Sequence, residues 1–502
     1  MEDIKLAKIF KEIATLSKKE ITPVYVVGGF VRDLLLDREQ NKDIDFVVEG
    51  SGLAFAKILD KKMKGVGSLV EFPDFDTARY IISGTGEIVL EFAGARAESY
   101  HEKSRKPQVV EATLKEDLSR RDFTVNAMAI EVPKLTLRGA KRRSNPKHST
   151  LDEGIAALPA VARNDIIDEF QGQQDLKDKI LRTPLDPDIT FSDDPLRMLR
   201  AIRFSAQLNF SIEPKTLEAI YRNRERIKIV SAERIQEELM KLMATPLPAV
   251  GLMLMFQTHL MDLILPEVSA LDGVEEIWGQ IHKNNLIHTF KVVDNIALRS
   301  AKPLLRLAGL LHDIGKTGTK HFERGAGWTF HAHEHLGKKM TTDLMRKLRF
   351  SINDIKYVAK LVRYHQQPIA LMDDGITDSA VRRLVVNLGD DLDDLLILGV
   401  SDITTGNPNK LVRRQKNYDH LRARIAEVLE KDKLRAFQSP FRGDEIMKEC
   451  GLKPGPTVGK IKEAIEEAIL EGTIPNEYDA AKEYFGKIKG EYLAKAQEWE
   501  RI

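Results

Sequence analysis

The sequence predicts an α+β protein: an N-terminal head on a mixed sheet, followed by regions that are helical throughout. Three observations carry this. Residues 21–130 alternate short β-rich runs (VYVVGG, DIDFVVE, SLVEF, ARYIIS, EIVLEFA) with helical ones, the pattern of a sheet flanked by helices. From about residue 164 nearly every segment spaces its apolar residues as a helix does. The chain has 502 residues, and since single cores rarely grow past roughly 250–300 residues, several domains are expected.

In chain order, residues 1–20 read as an amphipathic lead-in helix of mixed charge, not a signal peptide. The head strands follow. Residues 131–163 lose periodicity and gain Arg, Lys, Ser and Pro, which predicts a surface insertion. Its Lys141-Arg142-Arg143 cluster is a candidate RNA contact. Helix starts are signalled at Asp193-Asp194-Pro195, with an acidic cap and a proline in the first turn, and at Ser231-Ala232-Glu233. The longest apolar run, Val250 to Pro266, is interrupted by Gln257, His259 and Asp262, so it reads as a buried helix rather than a membrane span. Joints are expected near 165, 275 and 405. They divide the chain into a head (1–163), a helical neck (164–275), a metal-bearing helical domain (276–405) and a helical tail (406–502).

Composition narrows the class. The chain is 42% hydrophobic and 30% charged, which fits a soluble globular protein. Net charge is +1, so affinity for nucleic acid has to come from local basic patches. Cys450 is the single cysteine. It excludes an intrachain disulfide and any cysteine-rich zinc site, and it favours a reducing, cytoplasmic setting without membrane association.

The densest signal is VYVVGGFVRDLLLDREQNKDIDFVV, residues 24–48. An apolar strand breaks at Gly28-Gly29, the pair Arg32-Asp33 follows, and a second strand carries Asp43 and Asp45. Alternate residues of a strand share a face, so these two carboxylates lie side by side. Holding them there is costly unless a cation lies between. Paired glycines let backbone approach a ligand and turn N–H groups toward phosphate. Together these features describe a site for a metal-bound nucleoside triphosphate. The plainer alternative is a tight strand–helix turn with a solvated acidic edge. Glu91, on a later strand, is the candidate third acid, with an ordinary edge-strand glutamate as its alternative. Arg32 is a candidate phosphate ligand, with an ion pair to Asp33 as its alternative.

GG-x-V-R-D followed closely by D-x-D resembles the nucleotidyltransferase head of the tRNA CCA-adding enzyme and bacterial poly(A) polymerase family. Residues 120–129, RRDFTVNAMA, look like that family's second motif, whose arginines and acid contact the ribose and phosphates of the incoming nucleotide. The resemblance therefore implies nucleotide contacts at Gly28, Gly29, Arg32, Arg120, Asp122 and Asn126, with Mg²⁺ at Asp43 and Asp45. Residues 164–181 resemble the next motif, with Glu169 where a proline is usual. DDPLRMLRAIRF (193–204) looks like the family's E-D-x-x-R element, with Asp193 in place of Glu. Asp194 and Arg197 are spaced i, i+3 and are expected on one helical face, with Arg200 and Arg203 further along. In relatives such an acid–guanidinium pair presents a protein template that selects C and A. Residues 232–242, AERIQEELMKL, match the helical motif that supports this neck.

A second series occupies 288–402: His288, His312-Asp313 after an apolar run, His333, His365 and Asp402. Imidazoles and carboxylates are the usual ligands of a borderline divalent metal. The series resembles the HD phosphohydrolase superfamily. That likeness implies one metal at His288, His312, Asp313 and Asp402 and a second at His333 and His365, with Mn²⁺, Ni²⁺ or Fe²⁺ as candidate ions. Lys316 could orient a phosphate, and His331 and His335 fit a solvent-facing turn. Relatives suggest 2′,3′-cyclic phosphates and 2′-nucleotides as substrates. In the tail, KLVRRQKNYDHLRAR (410–424) offers Arg413, Arg414 and Lys416 to an RNA backbone. Residues 441–472 resemble a helix–turn–helix-like tail in which Gly455 and Gly459 lie near a helix start.

The leading expectation is template-independent addition of CCA to tRNA 3′ ends from CTP and ATP. A poly(A) polymerase typically carries a basic, aromatic G-R-R-F-x-L stretch after its D-x-D, where this chain reads FPDFDTARYIIS. An A-adding or C,C-adding enzyme remains open, as does a protein that is mainly an HD phosphohydrolase.

Overall fold

A computed structural model of the chain describes residues 2–38, 42–82, 88–99, 108–132, 165–273, 276–277, 280–281, 284–324, 327–372, 377–432 and 439–499. The expected insertion at 131–163, with Lys141, Arg142 and Arg143, lies almost wholly outside them. The chain divides into two compact units, Met1–Pro266 and Glu267–Ile502. The boundary between them falls inside the expected neck segment 164–275.

The first unit holds a seven-stranded mixed sheet. Its strands are β1 (Val24–Val27), β2 (Asp43–Val48), β3 (Ser68–Phe72), β4 (Thr77–Ile82) and β5 (Ile88–Gly94), then β8 (Ala129–Glu131) and β9 (Ile166–Ile167). They run in the order β3-β4-β5-β2-β1-β8-β9. A side ribbon pairs β6 (Arg96–Ser99) with β7 (Gln108–Glu111). The lead-in helix α1 (Glu2–Lys19) and helix α3 (Gly52–Lys62) cover one face. Ile44, Phe46, Leu90, Phe92 and Tyr80 are buried there, and the Phe46 and Phe92 rings stack at 4.7 Å. Period two then leaves Asp43 and Asp45 on the opposite, open face. β9 comes from beyond the insertion, yet it pairs directly with β8, Ala129 opposite Ile167.

Helices follow β9: α5 (Gly172–Asp178), α6 (Pro187–Asp193), α7 (Leu196–Leu208), α8 (Pro214–Asn223), α9 (Ala232–Met243) and α10 (Pro248–Gln257). α7 packs on both α9 and α10. The apolar run 250–266 is not one helix. It breaks at Thr258–His259, where His259 is left-handed (φ 59°). Among the described residues no helix is long and apolar enough to cross a membrane.

The second unit is helical apart from short two-stranded ribbons. A group of its helices converges on one polar centre: Asn285–Ala297, Pro303–Leu311, His333–Lys347, Ile352–Tyr364 and Leu392–Ser401. The helix Pro408–Asp432 leads to a small tail core of Phe441, Ile446, Ile461, Ile465, Ile469 and Phe485. Arg413, Arg414 and Lys416 are exposed on that leading helix, whereas Tyr418 is buried with its hydroxyl against Gly399. Gly455 is the extended residue before the helix Pro456–Leu470, and Gly459 lies in its first turn.

Candidate active sites

In the head, strand register assembles the acids. β2 and β5 run parallel, with Asp43 opposite Val89 and Asp45 opposite Glu91. All three candidate carboxylates therefore share the open face. Glu91 is engaged: Arg79 Nε donates to its Oε2 at 2.7 Å. Desolvation, with Glu91 and Asp43 alongside, pushes the Asp45 carboxyl up from its ordinary range, against Arg121 and Arg200. A divalent cation relieves that crowding, so the donor set fits one.

Gly28 ends β1 at φ 74°, a conformation other residues rarely adopt. A Cβ there would stand 3.0 Å from Arg121 Nη1 and 3.6 Å from Asp45 Oδ2. The expectation that both glycine N–H groups face phosphate needs correction. The Gly28 N–H donates to the Met128 carbonyl at 3.3 Å, because the ladder continues one residue past the strand. Gly29, first residue of helix α2 (Gly29–Leu35), keeps a helix-start N–H.

The paired arginines separate. Arg120 bonds the Asp117 carboxylate and the Arg96 carbonyl (2.8 Å to the latter). Arg121 also holds Asp117, at 3.2 Å, while its other nitrogen faces Gly28. Of the two it is therefore Arg121, not Arg120, that borders the carboxylates. Nothing in the dipeptide itself distinguishes them.

Arg32 is buried. Its Nε and Nη2 donate to Asp33 Oδ1 and Oδ2, both at 2.8 Å, and its Nη1 donates to Asn126 Oδ1 at 2.7 Å. The ion pair with Asp33 is what forms, and Arg32 acts as a bracket beneath the glycine turn. The polar chain continues. Asn126 Nδ2 donates to Asp122 Oδ1 at 2.9 Å, and Arg200 Nε and Nη2 donate to Asp122 Oδ2 at 2.9 and 2.7 Å. Arg203 Nε donates to buried Glu238 at 2.6 Å. Arg32, Arg200 and Arg203 all lie over the Phe204 ring, Arg203 at 4.0 Å. Burial alone would raise the Asp122 carboxyl, but Arg200 and Asn126 hold it down to about 2. Glu238 and Phe204 are members of this joint that motif reading passed over. Phe204 lies one turn after Arg200 on α7, which was the available signal for it; Glu238 comes from α9, 35 residues from Arg203, and spacing gives no signal for it.

Asp194 and Arg197 do not share one helical face. Pro195 occupies the position before α7, so the helix starts at Leu196 and Asp194 stays extended. Its carboxylate instead accepts from the Leu196 N–H, two residues on, at 3.2 Å. Arg197, half-buried in the first turn, is near enough to Asp122 to lower its pKa.

In the second unit five ligands come from helix ends. His288 is in the first turn of Asn285–Ala297, and His333 begins its helix. His312, His365 and Asp402 each follow the last residue of theirs. Asp313 sits between two groups. Its Oδ2 is 3.2 Å from His312 Nε2 and 3.7 Å from His288 Nε2. Its Oδ1 is 3.6 Å from His333 Nε2 and 3.7 Å from His365 Nε2. Asp402 Oδ1 completes the first group at 2.9 Å from His288. Gly315 permits this closeness, since a Cβ there would collide with the His333 carbonyl.

The remaining imidazole nitrogens are tied back. Nδ1 of His312, His333 and His365 meet the carbonyls of Gly309, Phe330 and Val362 at 2.7, 2.9 and 2.7 Å. His288 Nδ1 meets Thr404 Oγ1 at 2.7 Å. Each Nε2 lone pair is thereby turned inward, as metal-ligating histidines require. Asp313 Oδ1 and His312 Nε2 are buried without hydrogen-bond partners, and the Nε2 atoms of His333 and His365 face one another at 3.2 Å. That arrangement calls for cations. Burial pushes His365 down to about 4. It would also lower His312, but Asp313 and Asp402 bring that group up to about 10. His331 and His335 are exposed and outside both groups.

Comparison with known proteins agrees with both centres. Residues 24–140 match the poly A polymerase head domain, 209–271 the probable RNA and SrmB-binding site of polymerase A, and 285–429 the HD domain. An A-adding tRNA nucleotidyltransferase of Deinococcus radiodurans is 31% identical, over 73% of this chain and 78% of its own. A multifunctional CCA protein of Pseudomonas fluorescens is 32% identical, over 68% and 74%.

The chain belongs to the tRNA nucleotidyltransferase and poly(A) polymerase family.

This nucleotidyltransferase is also 29% identical to a CC-adding tRNA nucleotidyltransferase of Thermus thermophilus, over 91% and 92% of the two chains. The Thermotoga maritima CCA-adding enzyme complexed with tRNA shares its fold (TM-score 0.55, 21% identity, 96% of each chain covered). The family's head and HD domains imply dependence on divalent metal.

Proposed function

We propose that the protein adds C, C and A to the 3′ end of tRNA from CTP and ATP. The observation that carries this is the open sheet face where Asp43, Asp45 and Glu91 lie in register beside Arg121 and the Gly28 turn. Asp43 and Asp45 would hold Mg²⁺, which when bound neutralises the α-phosphate and the departing pyrophosphate. The tRNA 3′-hydroxyl oxygen bonds to the α-phosphorus and gives up its proton to water, the bond from that phosphorus to the oxygen bridging to the β-phosphate breaks, and pyrophosphate leaves. Arg121 binds phosphate oxygens above Gly28, and the Gly29 N–H adds a donor. Asp194 and Arg197 present an acceptor and donors to the base edge. The Asp122–Arg200 bond orients Arg197 through α7, and the Leu196 N–H holds the Asp194 carboxylate ahead of that helix. Arg413, Arg414 and Lys416 contact RNA backbone. The division into head 1–163, neck 164–275, HD domain 276–405 and tail 406–502 belongs to this reading, as does a cytoplasmic setting.

The buried, inward-facing ligand groups favour a second activity. Ions such as Mn²⁺, Ni²⁺ or Fe²⁺ at the HD ligands would polarise a phosphoester and a water. Water oxygen then bonds to phosphorus, one ester P–O bond breaks, and the leaving oxygen takes a proton.

A tRNA transcript lacking CCA, incubated with Mg²⁺ and CTP, ATP or both, tests the first reading at single-nucleotide resolution. Two additions with CTP and a third only with ATP support it, and Asp45→Ala abolishes them. One A added only to tRNA ending in CC makes the protein an A-adding enzyme, as the Deinococcus relative is named. A long ladder from ATP alone makes it a poly(A) polymerase.

A further inference from the structure

Between the two groups of HD ligands the chain makes an excursion that neither metal site needs. Strands His321–Glu323 and Gly327–Thr329 form an antiparallel ribbon, with Phe322 opposite Trp328. Both of its stems are tied to the ligand cluster. On the incoming side Lys316 Nζ donates to Asp313 Oδ2 at 2.6 Å. On the outgoing side the Phe330 carbonyl accepts from His333 Nδ1. Lys316 Nζ also lies 5.5 Å from the Phe330 ring centroid. A second pair follows, its lysine four residues on and its ring two residues back: Lys320 Nζ lies 4.5 Å from the Trp328 ring centroid, and the Phe322 ring meets Trp328 edge-on at 5.3 Å. Trp328 is half-buried.

Two cation–aromatic pairs thus leave the cluster in sequence, the first bonded to the bridging aspartate and the second one step out. Two residues of strand span about 7 Å, close to the distance from a nucleotide's phosphate to its base. A cation beside an aromatic plane is how proteins hold nucleotides without reading sequence, the ring taking the base and the cation the phosphate or the base's π face.

We propose that the two ribbon strands, 321–323 and 327–329, form the base-binding wall of the HD site: Trp328 stacks on a nucleobase, buttressed by Phe322 and Lys320, while Lys316 takes the adjoining phosphate. The nucleotide phosphoester itself, free or at an RNA 3′ end, is the class already expected of the HD site; the ribbon adds the wall that takes its base. The inference rests on the HD reading above, and its test separates the two.

The full chain contains three tryptophans, Trp278, Trp328 and Trp499. The variant Trp278→Phe, Trp499→Phe reports Trp328 fluorescence alone. In it, 2′,3′-cyclic CMP quenches saturably and ribose 5-phosphate does not. In an otherwise unaltered chain with Mn²⁺, Trp328→Ala raises KM for 2′,3′-cyclic CMP about tenfold or more, with kcat little changed. Hydrolysis of the base-free, ring-strained diester glycerol 1,2-cyclic phosphate stays unchanged, and Trp328→Phe recovers most of the loss. A short RNA ending in a 2′,3′-cyclic phosphate, run beside the free nucleotide, shows which source binds more tightly. Absent quenching, equal quenching by ribose 5-phosphate, or an equal fall for both diesters overturns the proposal. Selective quenching without hydrolysis by the unaltered protein removes the HD hydrolase reading and leaves the base-binding wall standing.

Discussion

Arg120 and Arg121 are neighbours of one residue type with different work. Arg120 fastens Asp117 and the Arg96 carbonyl, and Arg121 turns a nitrogen toward Gly28 and Asp45. Arg121→Ala is expected to slow nucleotide addition about a hundredfold, the scale of losing one charged donor at a reacting phosphate, and to lower the melting temperature as well, since Arg121 also holds Asp117. Arg120→Ala should lower the melting temperature with the rate of addition nearly kept. It removes a partner from the buried Asp117 carboxylate, costing about 1–3 kcal/mol, and a denaturation midpoint beside a single-turnover rate separates the two effects. At this scale the carboxylates were legible in advance, because Asp43 and Asp45 obey period two and the neighbouring residues are apolar. The choice between the arginines was not. It depends on which side of the α4 helix end (α4, Leu114–Ser119) each backbone position faces, and adjacent identical residues carry no such information. The ion pair of Arg32 with Asp33 lay among the alternatives, yet its third partner, Asn126, is 94 residues away.

Between elements, the Asp122–Arg200 bond ties the loop after α4 to helix α7. The Asp122 carboxyl sits at about 2, below its unfolded value near 4. A depressed carboxyl stabilises the folded state fully above the unfolded pKa, and that contribution is lost as pH falls from about 4 toward 2. Thermal melts of the full chain should therefore steepen their decline below about pH 4, and Asp122→Asn should flatten that decline. At pH 7 the same variant leaves Arg200 without its main partner, and it should cost roughly 3 kcal/mol and blur selection among the four nucleotides. Helix boundaries were the less readable part here. The acid–proline signal at 193–195 does mark a helix start, but i, i+3 spacing was counted from a residue that Pro195 leaves outside the helix. Spacing predicts a shared face only once the first helical residue is known.

Over the whole molecule each centre draws its residues from one compact unit: the head carboxylates from Met1–Pro266, the HD ligands from Glu267–Ile502. His312→Ala should thus abolish hydrolysis of 2′,3′-cyclic CMP while CCA addition proceeds, and Asp45→Ala should do the opposite. Metal analysis gives a sharper check. The unaltered second unit offers two ligand groups bridged by Asp313. His333→Ala should reduce bound Mn²⁺ by about one ion per chain, read by titration on the full protein after chelation. The ligand residues were legible because helix ends of a buried bundle are poor places for unpaired imidazoles. Their division into His288, His312 and Asp402 on one side and His333 and His365 on the other was implied by the family resemblance; that Asp313 faces both groups was not legible, since it hangs on which oxygen of one aspartate faces which histidine.

The pairing of β8 with β9 has a practical consequence. The chain leaves the sheet after Glu131 and returns at Ile166 on the adjacent strand, Ile130 opposite Ile166. Topologically the intervening stretch is the loop of a hairpin, entering and leaving at one spot. Loop length enters stability only logarithmically, about 0.6 kcal/mol per doubling. Excising residues 134–163 and rejoining the strands through a short glycine-containing turn should therefore leave the sheet's register untouched. Such a miniaturised protein would show by its retained or lost tRNA affinity whether that stretch is a mere spacer or an appendage with business of its own.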